Sequence, residues 1–365
     1  MWRRKNSRIS RKMCCFLLAA AAIACLMSSC GSRQPAEQAA GTQTDYEISV
    51  AANQELLWDY TDPSLIQEAA GAHVAVVAKE MDLEYWKAVR EGAEQAVDDL
   101  NELCGYEGDD KVVLTFEGPG GGTDVEAQIN QIDAVLAENP SVLCIAAVDM
   151  ASCEPQLEAA LDNGIPVLAL DSGVESPLLT ATCATDNYAA AIEATAKLCE
   201  AIGDAGEIAL VSHSSTSQTA IDRVNGFTWE IAIHQQVKVA ANLVQNTSET
   251  METMLMAALE LHPDLKGIFC TNEQMAAEVL DTLKKADRQD LVVVGFDAGE
   301  VQREAVEEGR ELGLICQNPR GMGYVSVTAA LHAASGDHID KHIDTGFRWI
   351  DKDNMDLAGS RTFLY

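Results

Sequence analysis

The stretch Leu291-Val-Val-Val-Gly-Phe-Asp297 decides how the rest of the chain is interpreted. Four apolar residues, three of them β-branched, precede the glycine and predict a buried parallel strand that runs out into a loop. In open α/β sheets, ligands bind just outside the carboxyl ends of the strands. Phe296 and Asp297 are therefore candidate ligand contacts. The alternative for Asp297 is that it caps a helix beginning at Glu300.

Strand and helix patterns alternate along the whole region that precedes and follows this stretch. A first series has apolar strand patterns at 74–78, 111–116, 142–148 and 165–170, with helical spacing of apolar residues between them. A second series starts at Gly206, with strand patterns at 206–211, 237–244, 267–271, 291–296 and 312–316. Each βαβα series folds as a parallel sheet with helices on both faces. The sequence therefore predicts an α/β fold with two doubly wound parallel-sheet lobes and a cleft between them.

The first 29 residues have the pattern of an export signal. Six basic residues between positions 3 and 12 precede the apolar run Cys14–Met27, which is too short to be a comfortable membrane span. The end of this run and the residues after it, Leu26-Met-Ser-Ser-Cys30, resemble the bacterial lipobox, in which the cysteine is lipidated. We therefore predict a lipoprotein signal peptide at 1–29, lipidation at Cys30, and a flexible tether at 30–45. The protein would be exported and anchored by lipid to the outer face of the bacterial cytoplasmic membrane.

The charge of the chain excludes one class of partner. The sequence has 25 Lys and Arg residues against 57 Asp and Glu residues, a formal net charge of -32. Removal of the leader would remove six of the basic residues and make the net charge still more negative. Such a surface repels phosphate backbones, so we expect no nucleic-acid partner.

A series of short motifs makes almost the whole chain, from about 73 to 357, similar to a known family. The chain resembles the sugar-binding proteins of ABC importers, the ribose-binding-like branch of the type 1 periplasmic binding proteins. The motifs occur in the family's order: Val74-Ala-Val-Val, Tyr85-Trp86, Gly92-Ala93, Thr123-Asp-Val125, Gln128-Ile129, Gly164-Ile-Pro-Val167, Asp171, Thr185-Asp-Asn187, Arg223, Gly226-Phe227, Thr271-Asn-Glu273, Val294-Gly-Phe-Asp297, Gln317-Asn-Pro319 and Met322-Gly-Tyr324.

The resemblance implies a domain organisation in which two lobes close on a ligand like a hinged trap. It places the three chain crossings between the lobes near 178–182, 317–318 and 347–350. The N-terminal lobe would then hold 46–180 plus 318–347, and the C-terminal lobe 181–317 plus 348–365.

The resemblance also implies which side chains contact the ligand. Tyr85 and Trp86 would stack on a sugar ring, because aromatic faces suit its C–H patches. Asp171 and Asp297 would accept hydrogen bonds from hydroxyl groups. Arg223 and Asn272 would donate hydrogen bonds to the ligand, and Gln317 would both donate and accept them.

Three of these assignments have a structural alternative. Arg223 could instead pair with a carboxylate between helices, and Asn272 could cap the helix that starts at Glu273. Lys79 departs from the family, since many relatives carry a small polar residue after the first strand. Ser172 follows Asp171 where ribose binders have Arg, and Lys79 could restore that lost positive charge. Lys79 could also recognise a carboxylate on the ligand, or it could be a solvated residue at the rim.

The function implied by the resemblance is that of an extracytoplasmic substrate-binding lipoprotein. It would capture a monosaccharide or related polyol as a monomer and deliver it to the transmembrane permease subunits of an ABC transporter. The alternative is a receptor that presents its closed form to a membrane histidine kinase or chemoreceptor. The glycine-rich stretch Gly118–Gly122 lacks the Gly-Lys-Ser/Thr of a phosphate-binding loop. No catalytic residue, cofactor or metal site is predicted.

Overall fold

The structure is a computed structural model, and it describes residues 60–66 and 68–365. The predicted signal peptide, the lipidation site Cys30 and the tether at 30–45 lie outside the described residues. Within the described ranges, no helix is long and apolar enough to cross a membrane.

The first lobe is built on a six-stranded parallel sheet with the strand order β11-β5-β4-β3-β1-β2. Helices α1 and α9 cover one face of this sheet, and α2 and α3 cover the other. Strands β3 and β4 are buried along their whole length, as expected for a parallel sheet covered on both faces. The elements are β1 (His73–Val77), α1 (Glu84–Cys104), β2 (Val113–Glu117), α2 (Val125–Ala137), β3 (Val142–Ile145), α3 (Glu154–Asp162), β4 (Val167–Leu170), β5 (Ala181–Ala184), α9 (Pro319–Ala334) and β11 (His342–Asp344), with 3-10 helices at Pro63–Leu65 and Gly108–Asp110.

The second lobe repeats this plan, with the strand order β12-β10-β9-β8-β6-β7. Its strands are parallel except for the edge strand β12, which runs antiparallel to β10. The elements are α4 (Asn187–Ala201), β6 (Gly206–Ser212), α5 (Gln218–Ile231), β7 (Val237–Val244), α6 (Met251–Leu261), β8 (Leu265–Cys270), α7 (Glu273–Lys285), β9 (Val292–Phe296), α8 (Glu300–Glu308), β10 (Gly313–Gln317), β12 (Phe347–Asp351) and α10 (Ala358–Arg361). The predicted fold class of two doubly wound α/β lobes is confirmed.

The chain passes between the two sheets three times. The passages lie between β5 and α4, between β10 and α9, and between β11 and β12. Two of them touch, because the Thr185 hydroxyl donates a hydrogen bond to the carbonyl of Gly346 at 3.3 Å. Strand β5 belongs to the first sheet, where Ala181 pairs with Leu168, whereas 181–184 was expected in the second lobe. Its four residues, Ala-Thr-Cys-Ala, carry no apolar run that would have shown a strand.

Helices α1 and α9 cross at two glycines. A Cβ added at Gly92 would collide with the carbonyl of Arg320, and a Cβ added at Gly323 would collide with the carbonyl of Val89. The two helices can therefore approach this closely only because both positions lack a side chain. This crossing matters for the cleft, because Tyr85 and Trp86 lie in the first turn of α1.

We predict that Gly92→Ala destabilises the protein by about 1–3 kcal/mol, because the added methyl group meets backbone atoms that cannot rotate away. Urea unfolding of the purified protein measures the loss. Gly120→Ala is the matched control, since a Cβ at Gly120 meets nothing within 4 Å. Equal stability of the two variants would show that the helix crossing does not depend on the glycine.

Candidate functional site

A cavity of about 290 Å³ lies between the lobes, where the carboxyl ends of strands from both sheets meet. Its walls come from the loops that follow strands of both lobes and from the starts of the helices beyond them. The structure brings eight of the nine predicted ligand residues to this cavity: Lys79, Tyr85, Trp86, Asp171, Arg223, Asn272, Asp297 and Gln317.

Two aspartates occupy corresponding places in the two lobes. Asp171 directly follows β4 and has a φ of 60°, and Asp297 directly follows β9 and has a φ of 74°. Both therefore adopt the left-handed conformation, which Asp tolerates better than most residues and which clusters at ligand sites. The neighbouring strands fix both turns, since Asp171 N donates to Cys183 O at 2.9 Å and Asp297 N donates to Ile315 O at 2.7 Å.

Asp297 is held by hydrogen bonds from two other elements. Its Oδ1 accepts from Gln317 Nε2 at 2.7 Å, and its Oδ2 accepts from the backbone N–H of Glu273 at 3.1 Å. The alternative that Asp297 caps the helix at Glu300 is wrong, because the N-cap of α8 is Gly299 and no side chain bonds there. In the part of the chain that the structure describes, the buried Oε1 of Gln317 has no hydrogen-bond partner. It can therefore accept a hydrogen bond from a ligand.

Asp171 is tied to the aromatic wall of the cavity. Tyr85 Oη donates to Asp171 Oδ1 at 2.8 Å. The ring of Trp86 lies edge-on to that of Tyr85, with 5.2 Å between centroids. Burial raises the pKa of Asp171, while the positive charges of Arg223 and Lys79 oppose the rise. The carboxylate is thus desolvated but compensated by two cations.

The guanidinium of Arg223 is hydrogen-bonded to two residues of the second lobe. Its Nε donates to Asn187 Oδ1 at 2.8 Å, and its Nη1 donates to the carbonyl of Thr271 at 2.6 Å. These partners are an amide and a carbonyl, so the alternative of a carboxylate partner between helices is wrong. The described hydrogen bonds leave Nη2 to donate into the cavity, which Arg223 lines.

Phe296 is the predicted site residue that the structure does not bring to the cavity. Its side chain is fully buried beside Phe269, and the Arg223 guanidinium lies 4.2 Å from its ring centroid. The reason is the alternation of side chains along a strand, which turns Phe296 to the core face when Asp297 faces the cleft. Phe296 therefore supports Arg223 by a cation–π contact and does not line the cavity.

Lys79 reaches across the cleft. Its Nζ donates to Ser217 Oγ at 2.6 Å, and Ser217 is the residue that precedes α5 of the second lobe. Lys79 is only 8% exposed, so the alternative of a solvated rim residue is wrong. Burial lowers the pKa of Lys79 to about 8, although the negative charge of Asp171 opposes the change.

Asn272 caps a helix and also lines the cavity. Its Oδ1 accepts from the backbone N–H of Met275 at 3.0 Å, which caps α7, and the residue also lines the cavity. The capping bond uses the oxygen and leaves the amide nitrogen to donate.

Sequence reasoning missed several other lining residues. Glu80, Gly120–Gly122, His213 and Gln245 line the cavity as well. Each stands in the loop after β1, β2, β6 or β7, so the strand-end rule applied to every strand would have found them.

His213 is held as a neutral ring. Burial, together with the charges of Lys79 and Arg223, keeps the pKa of His213 well below its usual range. Thr271 Oγ1 accepts from the backbone N–H of His213 at 3.0 Å and lies 2.8 Å from its Nδ1.

Among residues 60–66 and 68–365, no group of three or more His, Cys, Asp or Glu residues could hold a metal ion. The cavity offers four carboxylates, two cations, amides and two aromatic rings, a set that suits a small ligand rich in hydroxyl groups.

Comparison with known proteins gives one family and several curated relatives. A family model described as a periplasmic binding protein domain matches residues 74–338. The xylitol-binding protein of Mycolicibacterium smegmatis is 27% identical over 241 residues, which cover 64% of this chain and 68% of the relative. The ribose import binding protein of Escherichia coli is 22% identical over 266 residues, which cover 73% of this chain and 86% of the relative.

Solved structures show the same fold. A carbohydrate transporter solute binding protein from Agrobacterium radiobacter, in complex with D-arabinose, superimposes with a TM-score of 0.74 at 23% identity and covers 80% of this chain and 99% of that one. An ABC transporter solute binding protein from Agrobacterium vitis with bound D-fucose gives a TM-score of 0.71 at 26% identity, covering 80% and 100% of the two chains.

We predict that the stability of the wild-type protein relative to Lys79→Met increases as the pH rises from about 8 to 10.5. The folded state lowers the pKa of Lys79 from 10.5 to about 8. Within this window the unfolded chain therefore binds more protons than the folded one, and stability increases with pH. At roughly 1.4 kcal/mol per pKa unit, the change reaches up to about 3 kcal/mol.

Urea unfolding at pH 7.5, 9 and 10.5 measures this difference. Lys87→Met changes an exposed lysine of α1, the helix that follows the Lys79 loop, and should shift the stability by the same small amount at each pH. If the gap between wild type and Lys79→Met stays constant across the window, Lys79 is not the buried cation described above.

Proposed function

Because the chain belongs to the periplasmic binding protein family, we propose that it is the sugar-binding component of an ABC importer. It captures a monosaccharide or related polyol between its two lobes and delivers it to the transmembrane permease subunits. From the leader pattern we further propose that it is exported and held at the outer face of the membrane by lipid on Cys30.

The observation that carries this proposal is the convergence of complementary groups from both lobes on one small cavity. Tyr85 and Asp171 come from the first lobe, and Arg223 and Asp297 come from the second. Each sugar hydroxyl both donates and accepts a hydrogen bond, so its recognition needs carboxylates and cations together. The aromatic pair supplies an apolar surface for the ring's C–H groups.

The size of the cavity supports a single sugar unit. Its volume of about 290 Å³ lies at the lower end of the range of small-molecule pockets, which is roughly 300–1,000 Å³. The relatives named above bind or import xylitol and ribose. We therefore propose a pentose, a pentitol or a molecule of similar size as the ligand.

The charges around the cavity favour a neutral ligand. Its lining includes the carboxylates of Glu80, Asp82, Asp171 and Asp297 but only two cations, Lys79 and Arg223. Both cations are already engaged, Lys79 by Ser217 and Arg223 by the second-lobe core. A ligand carboxylate would meet an excess of negative charge, so Lys79 does not select an acidic sugar.

Ligand capture would work by a population shift. A sugar that contacts both lobes binds the closed form more tightly than the open form, and it shifts the protein towards closure. The permease then distinguishes the loaded protein from the empty one by the changed alignment of its two lobes.

We predict that Asp297→Asn weakens binding of the preferred sugar by about 10- to 100-fold. The substitution preserves shape and suits the left-handed backbone, but it removes the charge that strengthens the hydrogen bonds to the ligand by roughly 1.5–3 kcal/mol. Isothermal titration calorimetry with D-ribose, D-arabinose, xylitol and a panel of hexoses measures the affinities.

The matched control is Asp287→Asn. Asp287 also has a positive φ, of 55°, but it is exposed at the end of α7 and lies away from the cavity. This variant should bind like the wild type. Binding by Asp297→Asn that equals the control would remove Asp297 from the ligand site, and failure of the wild type to bind any of the sugars would refute the proposed function.

A further inference from the structure

The segment Phe363–Tyr365 lies directly behind the proposed sugar site. The Tyr365 Oη accepts a hydrogen bond from the backbone N–H of Ala298 at 2.9 Å. Ala298 is the residue after Asp297 and is fully buried. The phenol of Tyr365 therefore fixes the second-lobe turn that presents the Asp297 carboxylate.

The same tyrosine also contacts the first lobe. Its ring lies edge-on to the ring of Tyr85, with 6.0 Å between centroids and 71° between planes. Tyr85 in turn donates to Asp171. One side chain thus touches the supports of both candidate carboxylates, the Tyr85 ring on one side and the Asp297 turn on the other.

The neighbouring residues are bound to both lobes as well. Arg320, at the start of α9 in the first lobe, donates from Nη1 to the carbonyl of Leu364 at 3.2 Å. Arg348, in β12 of the second lobe, places its guanidinium 5.4 Å from the centroid of the Phe363 ring. The segment is therefore a strap between the lobes, made of Phe363, Leu364 and Tyr365.

Tyr365 does not line the cavity, so it cannot act by touching a ligand there. Burial raises the pKa of its phenol well above the usual range, and the charges of Asp297 and Glu273 raise it further. The raised pKa favours the protonated phenol, whose oxygen accepts from Ala298 N.

We propose that Tyr365 is a positioning residue that couples the two halves of the site. It holds the Tyr85 ring and the Asp297 turn in one arrangement, and this arrangement exists only when the lobes are closed. The strap stabilises the closed form from behind the cavity, and so it slows the release of a captured ligand. The effect on ligand release rests on the proposed function, whereas the effect on lobe closure does not.

Two variants separate the contacts that Tyr365 makes. Tyr365→Phe removes the acceptor for Ala298 N and keeps the ring contact, and Tyr365→Ala removes both. The control is Tyr324→Phe, which removes a comparable hydrogen bond, from Tyr324 Oη to Asp99 Oδ2 at 3.0 Å, away from the cavity.

Stopped-flow measurements of sugar binding provide the first readout. Opening of the lobes limits dissociation, so loss of the strap acts on the dissociation rate and leaves association nearly unchanged. Tyr365→Ala should dissociate at least about tenfold faster than the wild type, and Tyr365→Phe about threefold faster, as the retained ring contact restores part of the effect. Tyr324→Phe should match the wild type.

Small-angle X-ray scattering of the ligand-free proteins is the second readout. The strap predicts a larger radius of gyration for Tyr365→Ala than for the wild type and the control. If the wild type binds sugar and both Tyr365 variants dissociate at its rate, or lose affinity only through slower association, the proposal is overturned.

The two proposals fail in distinguishable ways. If the wild type binds no sugar, the proposed function fails and the strap is judged by scattering alone, where an unchanged radius of gyration overturns it. If Tyr365→Ala does not fold, Tyr365→Phe still decides, because its dissociation rate and radius of gyration test the hydrogen bond to Ala298.

Discussion

The structure depends on the mutual compensation of four charges that are buried where the two sheets meet. Lys79, Asp171, Arg223 and Asp297 are between 2% and 8% exposed. Each charge alone would cost several kcal/mol to bury. Asp171 and Lys79 come from the first lobe, and Arg223 and Asp297 come from the second. The positive charge of Arg223 opposes the rise in the pKa of Asp171 more strongly than that of Lys79 does, so compensation of Asp171 depends on both lobes. A hydroxyl-rich guest adds donors and acceptors to this network and introduces no uncompensated charge.

The two lobes contribute to the site in related but unequal ways. In each lobe an aspartate in the left-handed conformation follows a central strand, and the neighbouring strand fixes its position. The first lobe adds the aromatic wall of Tyr85 and Trp86, whereas the second adds Arg223, supported from beneath by Phe296. Lys79 and the segment Phe363–Tyr365 then join the lobes through separate contacts.

Much of the fold and part of the site could be predicted because both follow from strand ends. A parallel sheet between two helical layers gives continuous apolar runs, and the residues after those runs gather at one edge. That rule predicted Asp297 at the cavity, and the resemblance added Asp171, which follows the apolar run 165–170. The resemblance to sugar-binding proteins of ABC importers supplied the residues that lie on helices, such as Tyr85 and Arg223.

The errors have equally physical causes. Phe296 was predicted to contact the ligand, but its side chain is buried in the core. The apolar run did not show which face of the strand this side chain occupies. Strand β5 is short and has no apolar run, so the first passage between the lobes lies later than predicted. Tyr365 could not be found at all, since its partners Tyr85 and Ala298 are distant in sequence and only the folded chain brings them together.

A crystal structure of the protein grown with the pentose or pentitol that it binds most tightly decides whether both lobes hold the ligand. We expect one sugar in the cavity, with hydroxyl groups within hydrogen-bond distance of Asp171, Arg223 and Asp297 at the same time and the ring beside Tyr85 or Trp86. A sugar bound to only one lobe, or at a site elsewhere on the protein, would contradict this expectation.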